Sequence, residues 1–306
     1  PKIMTNPNQQ KGAYDTLKYE KLWNEAEKLI DKGLPKSAAE KVEKIYNMAR
    51  DEHNPPMYIK AVLFKMKILS DYEEEYLNKI IGDLRNEIEY TAFPETSILH
   101  SILASIYWDY YQQNRYKFME RSQVSEVDEA DIETWDLRHI MEKIKDHFLA
   151  SLENSDELKK LSIEKFTSIL LQAENSEVFR PTLYDFLAHR ALEFFMHDDN
   201  ELTRPAFVFQ VNDVQYFDPA EKFIKMKLKS QDTSALKYKA ILILQELIAF
   251  HLQDDNPDAL VDIDLHRLAF VHENIVGIAQ PDQAYLEALQ HLKSNYSDHA
   301  ISKRIT

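Results

Sequence analysis

Apolar residues in this chain return every three to four positions, the spacing that lines one face of an α-helix, and short polar or proline-containing breaks interrupt them. Leu17, Leu22, Ala26, Leu29 and Ile30 mark a first helix over Tyr14 to Lys32, stopped by Gly33. Ala39, Val42, Ile45, Tyr46 and Ala49 mark a second, from Lys36 to Glu52, which Asn54-Pro55-Pro56 ends. Ile59, Val62, Leu63, Met66 and Leu69 give a third over Met57 to Asp71, and a fourth, Glu74 to Tyr90, stops before Phe93-Pro94. The fifth, Ser97 to Arg121, carries Leu99, Ile102, Leu103, Ile106 and Tyr110 on one side and Ala104, Trp108, Tyr111 and Arg115 on another, so it should be packed on two sides.

The acidic stretch Ser122 to Ala130 predicts a boundary between two groups of helices. Helices are predicted again over Asp131 to Leu152, Asp156 to Leu171 and Pro181 to Met196. The pattern then fails over 202–219, where Phe207-Val208-Phe209-Gln210-Val211 suggests a crossing loop with one short strand. Further helices follow at Ala220 to Lys229, Ser234 to Leu252, Pro257 to Ile275 and Pro281 to Tyr296. The expected organisation is a disordered segment 1–13, a first hairpin group 14–121 and a second helical group 131–306. With only 4 glycines, β-rich folds with tight turns and phosphate-cradling loops are disfavoured. The fold class is all-α, an irregular α-α superhelix of antiparallel hairpins that is tetratricopeptide-like in shape without the periodic signature of those repeats.

A formal charge of -15 disfavours a nucleic-acid scaffold. No apolar run reaches the roughly 18 residues a bilayer requires; the longest, Ala240 to Phe250, is broken by Gln245 and Glu246. The polar opening, Pro1 to Ala13, lacks an initiator Met and a signal-peptide pattern and is expected to begin a fragment. Absence of Cys removes disulfides and thiolate chemistry. His272-Glu273 opens like a zinc-protease motif, but the second His position is Val276. His189, Glu193 and His197 share a helix face yet lack further ligands. Asp254, Asn256 and Asp258 begin like a calcium loop, with Ala259 at the glycine position and Leu265 in place of the bidentate Glu, so an interhelical turn is expected. No catalytic residue, cofactor or metal is assigned.

The strongest binding-like feature is Tyr107-Trp108-Asp109-Tyr110-Tyr111-Gln112-Gln113-Asn114-Arg115-Tyr116. Aromatics at helical spacing favour a core, but Trp108, Tyr111, Arg115 and Trp135 are the residues a stacking surface for a glycan or peptide would use. Gly33-Leu34-Pro35-Lys36-Ser37-Ala38 with Ile45-Tyr46, Tyr58-Ile59-Lys60-Ala61 with Lys65-Met66, Leu99-His100-Ser101 through Arg115, and Asp131 to Leu137 together resemble the helical N-terminal region of α-2-macroglobulin-like proteins of Bacteroides-type bacteria. The resemblance is most specific over 14–150. It implies export to the periplasm or envelope within a longer protease-trapping chain. It also implies protein partners, either downstream macroglobulin domains or an envelope protein, and a non-catalytic docking role, since the thioester Cys has no counterpart here. The alternatives are an autonomous tetratricopeptide-like adaptor and a surface glycan-binding helical protein.

Overall fold

The computed structural model describes residues 7–120, 127–170, 176–197, 209–228 and 230–305. Their regular elements are all helices, in two compact units: 1–140 with 165–171, and 141–164 with 172–306.

The first unit carries α1 (Pro7–Asp31), α2 (Pro35–Asp51), α3 (Pro55–Tyr72), α4 (Tyr76–Tyr90) and α5 (Glu95–Glu120). Helix α1 begins at Pro7, so only 1–6 of the segment expected to be disordered lie outside the described residues. Each break has a local cause. After α1 the chain turns at Gly33, whose φ of 71° is open to glycine, and Leu34 N–H donates to Leu29 O at 2.9 Å. After α2 the same turn is made by His53 at φ 50°, with Asn54 N–H donating to Ala49 O at 2.8 Å. Asn54 then caps α3 by accepting from Met57 N–H at 3.4 Å.

Small residues let α1, α2 and α3 approach closely: Ala26, Ala38, Ala49 and Ala61 are fully buried, beside Val42, Ile45 and Ile59. The buried face of α1 is Tyr19, Trp23 and Ala26, whereas Leu17 is 61% exposed. The aromatic rings win this face because they bury more area and keep polar contacts: Tyr19 Oη donates to Glu52 at 2.7 Å, and Trp23 meets the Phe64 ring at 5.3 Å. Helix α5 packs on both α4 and α3, as its two apolar faces require.

The second unit holds most of α6 (Leu137–Ser151), then α7 (Ser155–Leu158), α8 (Ser176–Phe179), α9 (Leu183–Phe195), α10 (Ala220–Phe223), α11 (Leu236–His251), α12 (Asp258–Asn274) and α13 (Pro281–Asn295). Helix α11 contacts both α9 and α12, and Leu187, Ala188, Ala191, Leu244, Leu247, Ile248 and Val271 are buried in its core.

Four predicted elements differ. Ala220 to Lys229 is helical only over α10, Ala220–Phe223: the chain leaves the helix at Ile224, the carbonyls of Phe223 and Met226 accept from the Gln245 side chain at 2.9 and 3.0 Å, and Lys229 lies outside the described residues. Asp131 to Leu152 is not one helix: Asp131 caps a short 3-10 turn at Ile132–Thr134, and Asp136 accepts from His139 N–H at 2.8 Å, so that α6 starts at Leu137. Asp156 to Leu171 is broken because Ile163 N–H donates to Pro181 O at 2.9 Å and Leu183 N–H to Leu161 O at 2.8 Å. These bonds divert backbone groups that a continuous helix would pair internally. The strand suggested over Phe207 to Val211 does not form among the described residues; Val211 makes one isolated bridge to Ile275, and Phe207 and Val208 lie outside them. Of the boundary expected at 122–130, residues 122–126 likewise lie outside; Asn78 holds Asp131 at 3.0 Å and the first unit runs to Ile140.

Candidate functional site

Helices α2, α3 and α4 leave between them an open groove of about 550 Å³. Ala39 of α2, Val62, Met66 and Leu69 of α3, and Ile80 and Leu84 of α4 form its apolar floor. The lysines come from α2 and α3, as Lys36 and Lys65, and the acids from α4 and the turn before it, as Glu73, Asp83 and Glu87. Lys65 is held by Glu43 at 3.1 Å and lies 4.4 Å from the Tyr46 ring, which fixes one edge.

Glu87, on the groove's lining, belongs to a polar knot. Glu87 accepts from Tyr46 Oη at 3.0 Å and from Tyr58 Oη, and Tyr58 also bonds Thr91 at 3.0 Å. Burial, reinforced by the Glu87 hydrogen bond, pushes the Tyr58 phenol far above its ordinary value, so it stays a neutral donor. The knot also lines a second pocket of about 390 Å³, together with Arg50, His53, Tyr90 and Glu95. Burial raises the Glu95 carboxyl there. The arrangement presents an apolar floor with charged edges.

The aromatic stretch of α5 is divided: Tyr107 and Tyr111 are buried, Trp108 and Tyr110 half-buried, and Tyr116 exposed. Tyr111 and Trp135 are both 0% exposed and offer no ring face to a sugar, while Trp108 and Arg115 are half-buried. Trp135 meets the Tyr107 ring at a tilt, 5.1 Å between centroids, lies under the Arg85 guanidinium at 5.5 Å, and its indole N–H donates to Asp128 O at 2.9 Å. Arg85 also donates to the Tyr107 hydroxyl at 3.1 Å and to Glu129 O at 2.6 Å. Those residues therefore clamp the chain after 127 onto α4 and α5.

No protein family, curated protein or solved structure matches the chain. Its chemistry has to be read from the side chains themselves.

In the second unit the histidines sort differently from their sequence neighbours. His272 bonds Asp282 at 2.8 Å and stacks on Tyr285 at 4.3 Å, an exposed pair joining α12 to α13. His189 is buried, but Glu193 and His197, with which it shares a face in sequence, are exposed. It meets instead Asp262 and His266 of α12, with one ligand-type atom from each within 4.8 Å of the others. The spacing of Asp262 and His266, four residues apart on one helix face, was the legible half of this cluster; His189 comes from another helix. Asp254 is a turn residue that bonds the His251 ring at 2.7 Å, and Asn256 accepts from Asp258 N–H at 3.2 Å, consistent with an interhelical turn. The other His251 nitrogen bonds Asp185 at 2.8 Å, and Asp185 also closes the α9 capping box with Thr182. Burial disfavours the charged imidazole, yet the two carboxylates outweigh it and raise His251 above its ordinary value.

Proposed function

We propose that this chain is a non-catalytic helical interaction module whose groove between α2, α3 and α4 receives an amphipathic helix of a partner protein. The observation that carries the reading is an apolar floor edged by lysines from two helices and by acids from the third and the turn before it. A helix with apolar residues at i, i+3 or i+4, and i+7 would cover that floor while its flanking charges meet the edges. The consecutive hairpins of α1 to α5 favour an irregular, tetratricopeptide-like superhelical arrangement, the kind of surface such modules use.

A peptide-display selection on the purified chain tests this directly. Enrichment of amphipathic helical sequences, abolished by a Met66→Glu, Leu69→Glu variant that keeps its circular dichroism, is the expected result. Recovery of no such family, or binding that the variant leaves intact, would overturn it.

The parent protein in this proposal is an exported α-2-macroglobulin-like chain, and its support is the set of residues quoted over 14–150. The natural partner would then be a downstream domain of the same chain or an envelope protein. An immunoblot of cell fractions distinguishes the parents: an envelope band several times larger than 36.0 kDa is expected, and a cytosolic band near 36.0 kDa would leave an autonomous adaptor.

A further inference from the structure

We propose that His189, Asp262 and His266 form a binding site for a divalent transition-metal ion of the zinc class, with a fourth position open to solvent or an added ligand. The inference is independent of the groove and belongs to the second unit alone.

Geometry comes first. Three atoms lying within 4.8 Å of one another share a point no more than roughly 2.8 Å from each, against zinc–nitrogen and zinc–oxygen bonds of about 2.0–2.2 Å. Closing on an ion therefore asks each side chain to move by less than about 1 Å, within the reach of rotamer adjustment. The two imidazoles already face each other edge to face at 5.9 Å between centroids.

His189 supplies the second observation. It is 5% exposed, and its Nδ1 lies 2.8 Å from the Asp185 carbonyl, an acceptor that fixes the proton on that nitrogen. The lone pair is thereby left on Nε2, which is buried and has no hydrogen-bond partner among the described residues. A buried acceptor without a partner costs about 1–3 kcal/mol, and an imidazole held by a backbone carbonyl through one nitrogen while the other stands empty is the arrangement of a metal-ligating histidine. Asp185 is itself gripped by Thr182 and His251, so the support extends a further layer.

The donor set selects the ion. Two imidazoles and a carboxylate suit zinc and its transition-metal neighbours, whereas calcium and magnesium prefer oxygen alone. Asp262 is engaged by Arg304 at 2.8 Å through Oδ1 and retains Oδ2 for a metal. His266 sits at the solvent edge, which gives an ion an entry path.

The test uses the full chain stripped with a chelator and titrated with zinc chloride by calorimetry, with cobalt chloride as the spectroscopic probe. Expected are one equivalent of zinc at micromolar concentrations, visible cobalt bands, and a rise of about 5–10 °C in the second unit's Tm at a hundredfold excess over Kd. His266→Ala changes an exposed residue, so it should remain folded while losing at least about tenfold in affinity together with the cobalt bands. Asp262→Asn should weaken binding likewise, and His272→Ala, whose ring bonds Asp282 instead, should not. Absence of saturable uptake by the wild-type chain, or uptake that His266→Ala and Asp262→Asn both leave unchanged, would overturn the site.

Discussion

Residue by residue, the chain resolves similar problems with unequal means. The turns after α1 and α2 are the same left-handed stop, but one uses Gly33 and the other His53. A side chain at φ 50° is strained by about 1 kcal/mol. His53→Gly should therefore raise the urea midpoint by the equivalent of about 0.5–1 kcal/mol with no change in m; an unchanged or lower midpoint would show that His53 contributes a compensating contact. His251 gives a pH dependence with a definite sign. Its folded-state value is raised, so its contribution is complete below the unfolded value of about 6.5 and is lost as pH rises through the folded one. Thermal scans should show the second unit's transition falling as pH is increased above that point, and His251→Gln should flatten this slope. A transition that instead climbs with pH in the wild type would contradict the doubly paired imidazolium.

Among elements, Trp135 and Arg267 each tie irregular chain to helix. Trp135 is fully enclosed and joins the segment after 127 to α4 and α5, so Trp135→Ala should cost about 3–5 kcal/mol, read as a lowered first-unit transition. Arg267 of α12, 1% exposed, pairs with Asp264 at 2.7 Å, donates to the carbonyls of Tyr216 and Asp218 at 2.9 and 2.8 Å, and lies over the Phe223 ring. Burial raises the Asp264 carboxyl despite that partner. Removing one member leaves the other buried and unpaired, so Arg267→Ala should lose about 3–5 kcal/mol, whereas the double change Arg267→Met, Asp264→Leu should recover much of it. Denaturant curves on the single and double variants decide the point, and equal losses in both would mean the carbonyl bonds matter more than the charge.

For the whole molecule, the division into two compact units predicts that unfolding is not a single two-state event. Differential scanning calorimetry should resolve two transitions, the first-unit one shifted by Trp135→Ala and the second by pH and Arg267→Ala. One transition that all three perturbations move together would show that the units fold as a block. Much of the helical plan was legible beforehand, because 3.6-residue periodicity with glycine and proline stops is a local property. The extents of α2, α3, α12 and α13 follow their signals closely. Prediction failed for two reasons: local caps at Asp131 and Asp136 broke one predicted helix, and the non-local pairing of 161–163 with 181–183 ended another that the periodicity alone would continue.

By itself, then, the sequence determined an all-helical chain, the places where hairpins turn, and the lack of any cysteine chemistry. It could not say that the Trp135 and Tyr111 rings face inward, since a helical stripe of aromatics reads the same whether it packs or binds. Nor could it join His189 to Asp262 and His266, which lie on separate helices and become neighbours only when α9 and α12 are brought together. Only the tertiary structure decided these, because burial and convergence are properties of which faces meet, and the periodicity of one helix carries no information about its neighbour.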